Sequence, residues 1–213
     1  MKSIWEHYAG IVGISLVPTV LEIGAGRGED TVRLLEPLLA LPEHYRYRYY
    51  AFEPEPKNFP YLRALAVKRP FVAIDAAVGD RNALVPFHPS GDWPYSGSVK
   101  EPRKVVVDFG LTFSPPIQVR MVRLDDMIHV NCHNIRNIDF IWCDVQGAED
   151  LVIAGGQEAL IRTRYFYTEY YNTEEYAGQI PLSEIHGRLP GNWKLLEDYG
   201  SDALFQNLDW RQR

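Results

Sequence analysis

An open α/β fold, a mostly parallel sheet with helices on both faces, is what this sequence predicts, and three observations carry the prediction. Strand-like and helix-like segments alternate along most of the chain. The stretch Val20-Leu21-Glu22-Ile23-Gly24-Ala25-Gly26-Arg27-Gly28 is an apolar strand running into a glycine-rich turn, where a tight bend lets the backbone approach a ligand. Polar residues then recur directly after the predicted strands, the end at which open α/β sheets bind ligands. The 213 residues fit one domain of ordinary size, with an N-terminal helical segment over 1–18.

Thr19–Ile23 reads as the first strand and Glu29–Leu39 as its helix. Residues 47–52 form the second strand. Residues 56–68 carry Phe59, Leu62, Leu65 and Ala66 at helical spacing, and 71–78 read as the third strand. The alternation then breaks over 80–124, where no helix is predicted and β-like runs stand at 83–87, 104–109 and 117–124. The turn-rich segment Pro89-Ser90-Gly91-Asp92-Trp93-Pro94-Tyr95-Ser96-Gly97-Ser98 lies among them. The region reads as an antiparallel β insertion whose long loop is either a functional lid or plain surface. Alternation resumes with a buried strand Ile138–Cys143, a helix over 148–161, a strand over 164–170 and a short helix over 183–189. Residues 193–197 and 203–206 make a terminal hairpin.

With 46% hydrophobic and 23% charged residues, the composition is that of a soluble globular protein. A net charge of -6 and the lack of a Lys/Arg run argue against a nucleic-acid partner. Cys132 and Cys143 are too few for a disulfide framework or a zinc site, and Cys143 reads as a core thiol. The N-terminus lacks the apolar core of a signal peptide, and no apolar run is long enough to span a membrane. A cytoplasmic location is the expectation.

The residues at the carboxyl ends of the strands carry the chemistry. A dinucleotide fingerprint G-x-G-x-x-G counted from Gly24 requires glycine at position 29, where this chain has Glu29. An acid before the first glycine, Glu22, and another beside the expected phosphates suit a cationic cofactor such as S-adenosylmethionine better than a pyrophosphate. Glu53, ending the second strand, is placed to grip ribose hydroxyls. Pro54, Asp75, Ala77, Asp144 and Gln146 fall at the same edge and are expected to line the cofactor with Gly24, Ala25 and Gly26. Asp144 suits a general base for a substrate hydroxyl, a partner for the cofactor's ammonium or a metal ligand; capping the helix that begins near Gly147 is the plainer role, and it is compatible with these. Glu169, among Tyr167, Tyr170, Tyr171 and Tyr176, reads as the rim of a substrate pocket or as a tyrosine-rich β edge. Asp144 with Glu169 also offers two oxygens to Mg²⁺, an option rather than the favoured reading. His7, His44, His88, His129, His133 and His186 show no metal-ligand spacing; His88 is the best placed as a base, and more simply a surface histidine.

Five segments in order, Leu21-Glu22-Ile23-Gly24-Ala25-Gly26, Ala51-Phe52-Glu53-Pro54-Glu55-Pro56, Ala77-Val78-Gly79-Asp80, Arg123-Leu124-Asp125-Asp126 and Ile138-Asp139-Phe140-Ile141-Trp142-Cys143-Asp144-Val145-Gln146-Gly147-Ala148-Glu149, resemble the FkbM-type methyltransferases. The resemblance implies a class I methyltransferase (Rossmann-like) fold of seven strands, mostly parallel with an antiparallel last strand and a β insertion after the third. It implies S-adenosylmethionine as cofactor and a hydroxyl of a sugar, polyketide or other small metabolite as acceptor. Glu22, Gly24 and Gly26 would then line the cofactor, Glu53 its ribose and Asp144 the methyl-transfer end. Tyr95-Ser96-Gly97-Ser98 looks like the family's serine-bearing loop, which puts Ser98 beside the cofactor and Tyr95 with Glu169 and Tyr171 at the substrate pocket. Two departures stand out: Trp142 where Lys is usual and Gln146 where Glu is usual.

The expected partner is a small-molecule acceptor, with no nucleic acid and no membrane; a homo-oligomer is left open. Asp144-Val145-Gln146-Gly147 lacks the Pro-Pro-aromatic motif of many amine methyltransferases, which favours O-methylation. Two other readings are a non-catalytic binding scaffold, suggested by Trp142 and Gln146, and a nicotinamide oxidoreductase, disfavoured by Glu29.

Overall fold

The computed structural model describes residues 2–42, 46–91, 93–130 and 135–211. Helix α1 (Ile4–Val12) opens with Ser3 and Glu6 in a reciprocal capping box, the Ser3 N–H donating to Glu6 Oε2 at 2.8 Å. Strand β1 (Thr19–Ile23), helix α2 (Glu29–Leu39), strand β2 (Arg48–Phe52), helix α3 (Phe59–Lys68) and strand β3 (Val72–Ile74) follow in alternation. Strand β4 (Ala77–Val78), strand β5 (Ala83–Phe87), helix α4 (Val105–Asp108) and strand β6 (Ile117–Val122) make the insertion. The remainder is helix α5 (Leu124–Val130), strand β7 (Ile138–Cys143), helices α6 (Glu149–Gly155) and α7 (Gln157–Ile161), strand β8 (Thr163–Glu169), helix α8 (Leu182–Arg188), and the hairpin β9 (Trp193–Asp198) and β10 (Asp202–Asn207).

The main sheet has seven strands in the order β3-β2-β1-β7-β8-β10-β9. Neighbours from β3 to β8 run parallel, and β10 runs antiparallel to both β8 and β9. The chain builds outward from β1 to β3 and then returns to build outward from β7, so the strand order reverses between β1 and β7. That switch point is where open α/β sheets leave a crevice at their carboxyl ends. β1 and β7 are buried along their whole length, as strands covered on both faces must be. One face of the sheet packs Leu21, Ile23, Ile141 and Phe166 against α5–α8, and the other packs Val20, Phe140, Trp142 and Leu204 against α1 and α2. A smaller sheet, β4-β6-β5, carries its own apolar cluster of Val85, Phe87, Val119 and Met121.

The structure corrects five local expectations. Residues 71–78 are two strands in different sheets: the Ala76 N–H bonds the Ile74 carbonyl at 3.0 Å, and the chain turns there to pair Ala77 and Val78 with Met121 and Val122. That β4–β6 pairing is parallel, so the insertion is only partly antiparallel. Residues 104–109 contain a turn of helix because only Val105 is buried, while Arg103 and Val105 donate to the Glu175 carbonyl; these tertiary contacts override the β preference of three valines. The helix predicted over 148–161 is broken at Gly155-Gly156. A Cβ on Gly155 would lie 1.8 Å from the Gly79 carbonyl oxygen, so α6 crosses the insertion too closely for any side chain. Finally, Leu124, Met127 and Ile128 bury one face of the unpredicted α5.

Candidate active site

The crevice at the switch point is a cavity of roughly 970 Å³ including its mouth, the size of a small-molecule site. The glycine turn forms one wall. Gly24 and Ala25 donate their N–H groups to the Phe52 carbonyl at 3.0 and 2.9 Å, which carries the chain across the end of β2. Gly24 has φ of 90°, and a Cβ there would sit 1.7 Å from the Asp144 carbonyl oxygen. The end of β1 and the end of β7 can therefore meet only through glycine. The Asp144 N–H closes this contact by bonding the Ile23 carbonyl at 2.9 Å.

Glu53 lines the cavity at the end of β2. Its two oxygens accept the Gly26 and Glu55 N–H groups, each at 2.7 Å. Burial pushes its carboxyl up to about 8, against the pull of those two N–H groups. Asp144 lies across from it, with burial raising its carboxyl to about 6 despite hydrogen bonds to Gln146 and Glu169. Five acids face the cavity (Glu29, Asp30, Glu53, Glu55 and Asp144), and among the described residues no Lys, Arg or His lines it. Phe52, Ala77, Val78, Phe87 and Val99 add an apolar side. Such a site favours a ligand with positive charge and an apolar ring and repels a pyrophosphate.

The turn-rich segment covers this cavity and is fastened from several directions. The Tyr95 hydroxyl bonds Glu29, Asn58 donates to the Pro94 carbonyl at 2.6 Å, and the Tyr176 hydroxyl donates to the Ser96 carbonyl at 2.9 Å. Ser98 Oγ donates to the Gln146 carbonyl at 2.7 Å. Gln146 adopts φ of 53°, the one positive value at a non-glycine position among the described residues. Its Nε2 donates to Asp144 Oδ1 and to Glu169 Oε2, both at 2.7 Å, while its Oε1 accepts the Tyr176 hydroxyl at 3.2 Å. A left-handed backbone at a glutamine is tolerated here because every polar atom of its amide is engaged.

Gly24, Ala25, Gly26, Glu53, Pro54, Ala77, Tyr95, Ser98, Asp144 and Gln146 thus share one cavity. Glu22 does not line it. The Glu22 side chain points to the α1–α2 face of β1, buried, where Thr31 and Tyr49 hydroxyls donate to it at 2.6 and 2.7 Å, and burial raises its carboxyl to about 8. Asp75 is exposed beside Arg120, outside the cavity, because the chain changes sheets at that residue. Glu169 and Tyr171 stand behind Gln146 rather than at the rim, Tyr171 Oη donating to Glu169 Oε1 at 3.0 Å.

His88 pairs by its backbone with Ser98 and does not line the cavity. His7 Nε2 lies 3.4 Å from Glu197 Oε1, and His129 and His186 bond Glu158 and the Trp193 carbonyl. His44, Asp92, Cys132 and His133 lie outside the described residues. Asp30, Glu55, Asn58 and Phe87 were not expected as site residues. Asp30 was signalled by its place directly after the glycine turn, whereas Asn58 and Phe87 belong to no local motif and reach the site only through tertiary packing.

A model of the methyltransferase FkbM domain matches residues 22–208. The chain is 36% identical over 181 residues to the 2-O-methyltransferase NoeI of Sinorhizobium fredii, covering 81% of this chain and 71% of that protein. Among solved structures, a putative rRNA-methylase from Clostridium thermocellum matches 99% of each chain with a TM-score of 0.53 and 9% identity. The METTL16 MTase domain covers 97% of this chain and 69% of that one, with a TM-score of 0.50 and 12% identity. At these identities the two structures speak to the fold alone, and it is the same fold.

Proposed function

Since the chain belongs to the FkbM family of S-adenosylmethionine-dependent methyltransferases, we propose that it methylates a hydroxyl oxygen of a small, uncharged acceptor, with Asp144 as the base. The observation that carries this reading is the acidic, cation-free cavity in which the glycine turn at Gly24 abuts Asp144. Such walls fit a cofactor that bears a sulfonium and an ammonium, with Glu53 and the 24–26 turn holding its sugar end and Asp144 standing at its methyl-transfer end. When bound, S-adenosylmethionine supplies an electrophilic methyl group. The protein's own work is to align the acceptor oxygen with it and to receive the hydroxyl proton. Asp144 suits that second task, because a carboxyl raised to about 6 is ionised at neutral pH yet more basic than an ordinary aspartate. The similarity to a 2-O-methyltransferase and the absence of prolines after Asp144 both support oxygen as the acceptor atom.

The same five acids argue against a phosphate-rich acceptor, and so for a small molecule rather than a nucleic acid. Among the described residues no helix is long and apolar enough to cross a membrane. Because the reaction consumes S-adenosylmethionine, we assign it to the cytoplasm. Mg²⁺ is not part of this reading: the Asp144 and Glu169 oxygens are already joined through the Gln146 amide, so a chelator is expected to leave turnover unchanged. The experiment is calorimetric titration with S-adenosylmethionine and with NADH, followed by assay of S-adenosylhomocysteine release against a panel of hydroxyl acceptors. Binding of the first cofactor only, weakened at least about tenfold by Glu53→Ala, is expected. No binding, or binding without turnover on any acceptor, overturns the assignment.

A further inference from the structure

We propose that Glu169 is the positioning partner of Asp144, the two carboxyl groups holding a single proton between them while the Gln146 amide clamps both. The strand register sets this up. Cys143 pairs with Thr168 in the parallel β7–β8 ladder, so the next residues, Asp144 and Glu169, leave the sheet side by side. The two carboxyls are in hydrogen-bond contact, and both hydrogens of one NH₂ group are spent on them, to Asp144 Oδ1 and Glu169 Oε2. The amide is backed by Tyr176, whose hydroxyl proton is shared between the Ser96 carbonyl at 2.9 Å and the amide oxygen at 3.2 Å, while the Tyr171 hydroxyl donates to the far oxygen of Glu169.

Among the described residues, the charged groups that act most strongly on the pair are themselves acids. From α6 it faces Glu149, from β10 Asp202, from α2 Asp30 and from β1 Glu22. The remaining titratable neighbours are the thiol of Cys143 and the phenols of Tyr167, Tyr171 and Tyr176, all neutral at pH 7. Lys100 is taken up by Asp150 and by the Gly178 carbonyl, each at 2.7 Å. Two adjacent carboxylates in such surroundings cannot both ionise, and the proton stays on Glu169, whose carboxyl burial and the Asp144 charge push far above the usual range. A neutral Glu169 donates to Asp144, keeps that carboxylate ionised and fixes which lone pair faces the cavity. In turnover the acceptor O–H bond breaks and its proton passes to Asp144. The pair then holds two protons, one of which leaves to solvent before the next cycle. That role in turnover rests on Asp144 being the base; the shared proton does not.

The test therefore has one arm independent of activity. Infrared difference spectra of the purified protein at pH 9, wild type minus Glu169→Gln, should show the carbonyl stretch of a protonated carboxyl, since Glu22, Glu53 and Glu149 have largely ionised by then. A flat difference spectrum overturns the proposal. In the second arm Glu169→Gln, which keeps a neutral donor of the same shape, should hold kcat within about threefold of wild type and leave its acid limb in place. Glu169→Leu, which cannot donate, should lower kcat more than about tenfold and move that limb, with KM for the cofactor little changed. Loss in Glu169→Gln as deep as that in Asp144→Asn means that an ionised Glu169 is needed, and the proposal fails. A positive infrared result with no turnover in any variant would leave the pair intact and overturn only the function reading.

Discussion

Asp144 and Gly24 meet at a junction too close for any side chain on Gly24, and their side chains, or lack of one, set the residue-scale expectations. Asp144→Asn preserves the shape and the bond to Gln146 but removes the base. It should bind S-adenosylmethionine with near-normal affinity in calorimetry while turnover falls about 10²-fold or more. Unchanged turnover would remove Asp144 from that role. In the wild type the active form is the ionised one, so kcat should rise with pH through about 6 and be lost below it. Gly24→Ala places a methyl group 1.7 Å from the Asp144 carbonyl oxygen at a left-handed φ. It should lower the melting temperature and abolish cofactor binding together, both measurable in one thermal-shift titration. The residues bearing these roles were readable from their order along the chain. That Glu22 serves Thr31 and Tyr49 instead of the ligand was not, because strand alternation reveals that Glu22 and Ile23 face opposite ways but not which face holds the cavity.

At the scale of elements, the departure at Trp142 has a structural cause. α1 lies over β7, and Trp5 stacks on Trp142 with ring centroids 5.3 Å apart, while Tyr167 packs on it at 4.2 Å. Tyr8 adds an edge contact to Phe140 at 4.9 Å. Trp142 is thus part of the bond between helix and sheet, and Trp142→Ala should cost about 3–5 kcal/mol in urea unfolding. The cover over the cavity is a second element with a testable fastening. Asn58→Ala cuts its link to Pro94, and the expected result is a KM for the cofactor raised several-fold with a smaller change in kcat. Equal losses in both would point to collapse of the site instead. Periodicity located nearly every element that is long or buried on both faces. It failed at Val105–Asp108, at the Gly155-Gly156 break and at Asp75, where contacts from distant segments outweigh local preference.

For the molecule as a whole, the buried carboxyls set stability against activity. Glu22 and Glu53 are raised to about 8 and Glu149 to about 7, so between their unfolded and folded values the native chain holds more protons than the unfolded one. The stability they contribute is complete below the unfolded carboxylate range and is lost as pH rises through about 7 to 8. The melting temperature should therefore fall from pH 5 to pH 8.5, opposite to the rise in kcat through about 6. S-adenosylmethionine, a cation among these acids, should raise it more at pH 8 than at pH 6. A melting temperature that is flat or climbs over that range would contradict the burial of these groups.

The sequence by itself determined the alternation of strands and helices, the strand-end positions of Gly24, Glu53 and Asp144, and the family. Each of these is written in residues close together in the chain: a period, a turn or a motif. Only the tertiary structure decided which acids face the cavity, that residues 93–98 cover it, and that Glu169 stands beside Asp144 with the Gln146 amide bonded to both. Those outcomes depend on strand register and on contacts between residues far apart in sequence, Asn58 with Pro94 and Tyr176 with Ser96 among them. No local pattern encodes such a contact, because its energy appears only after the chain has closed the loops that bring the partners together.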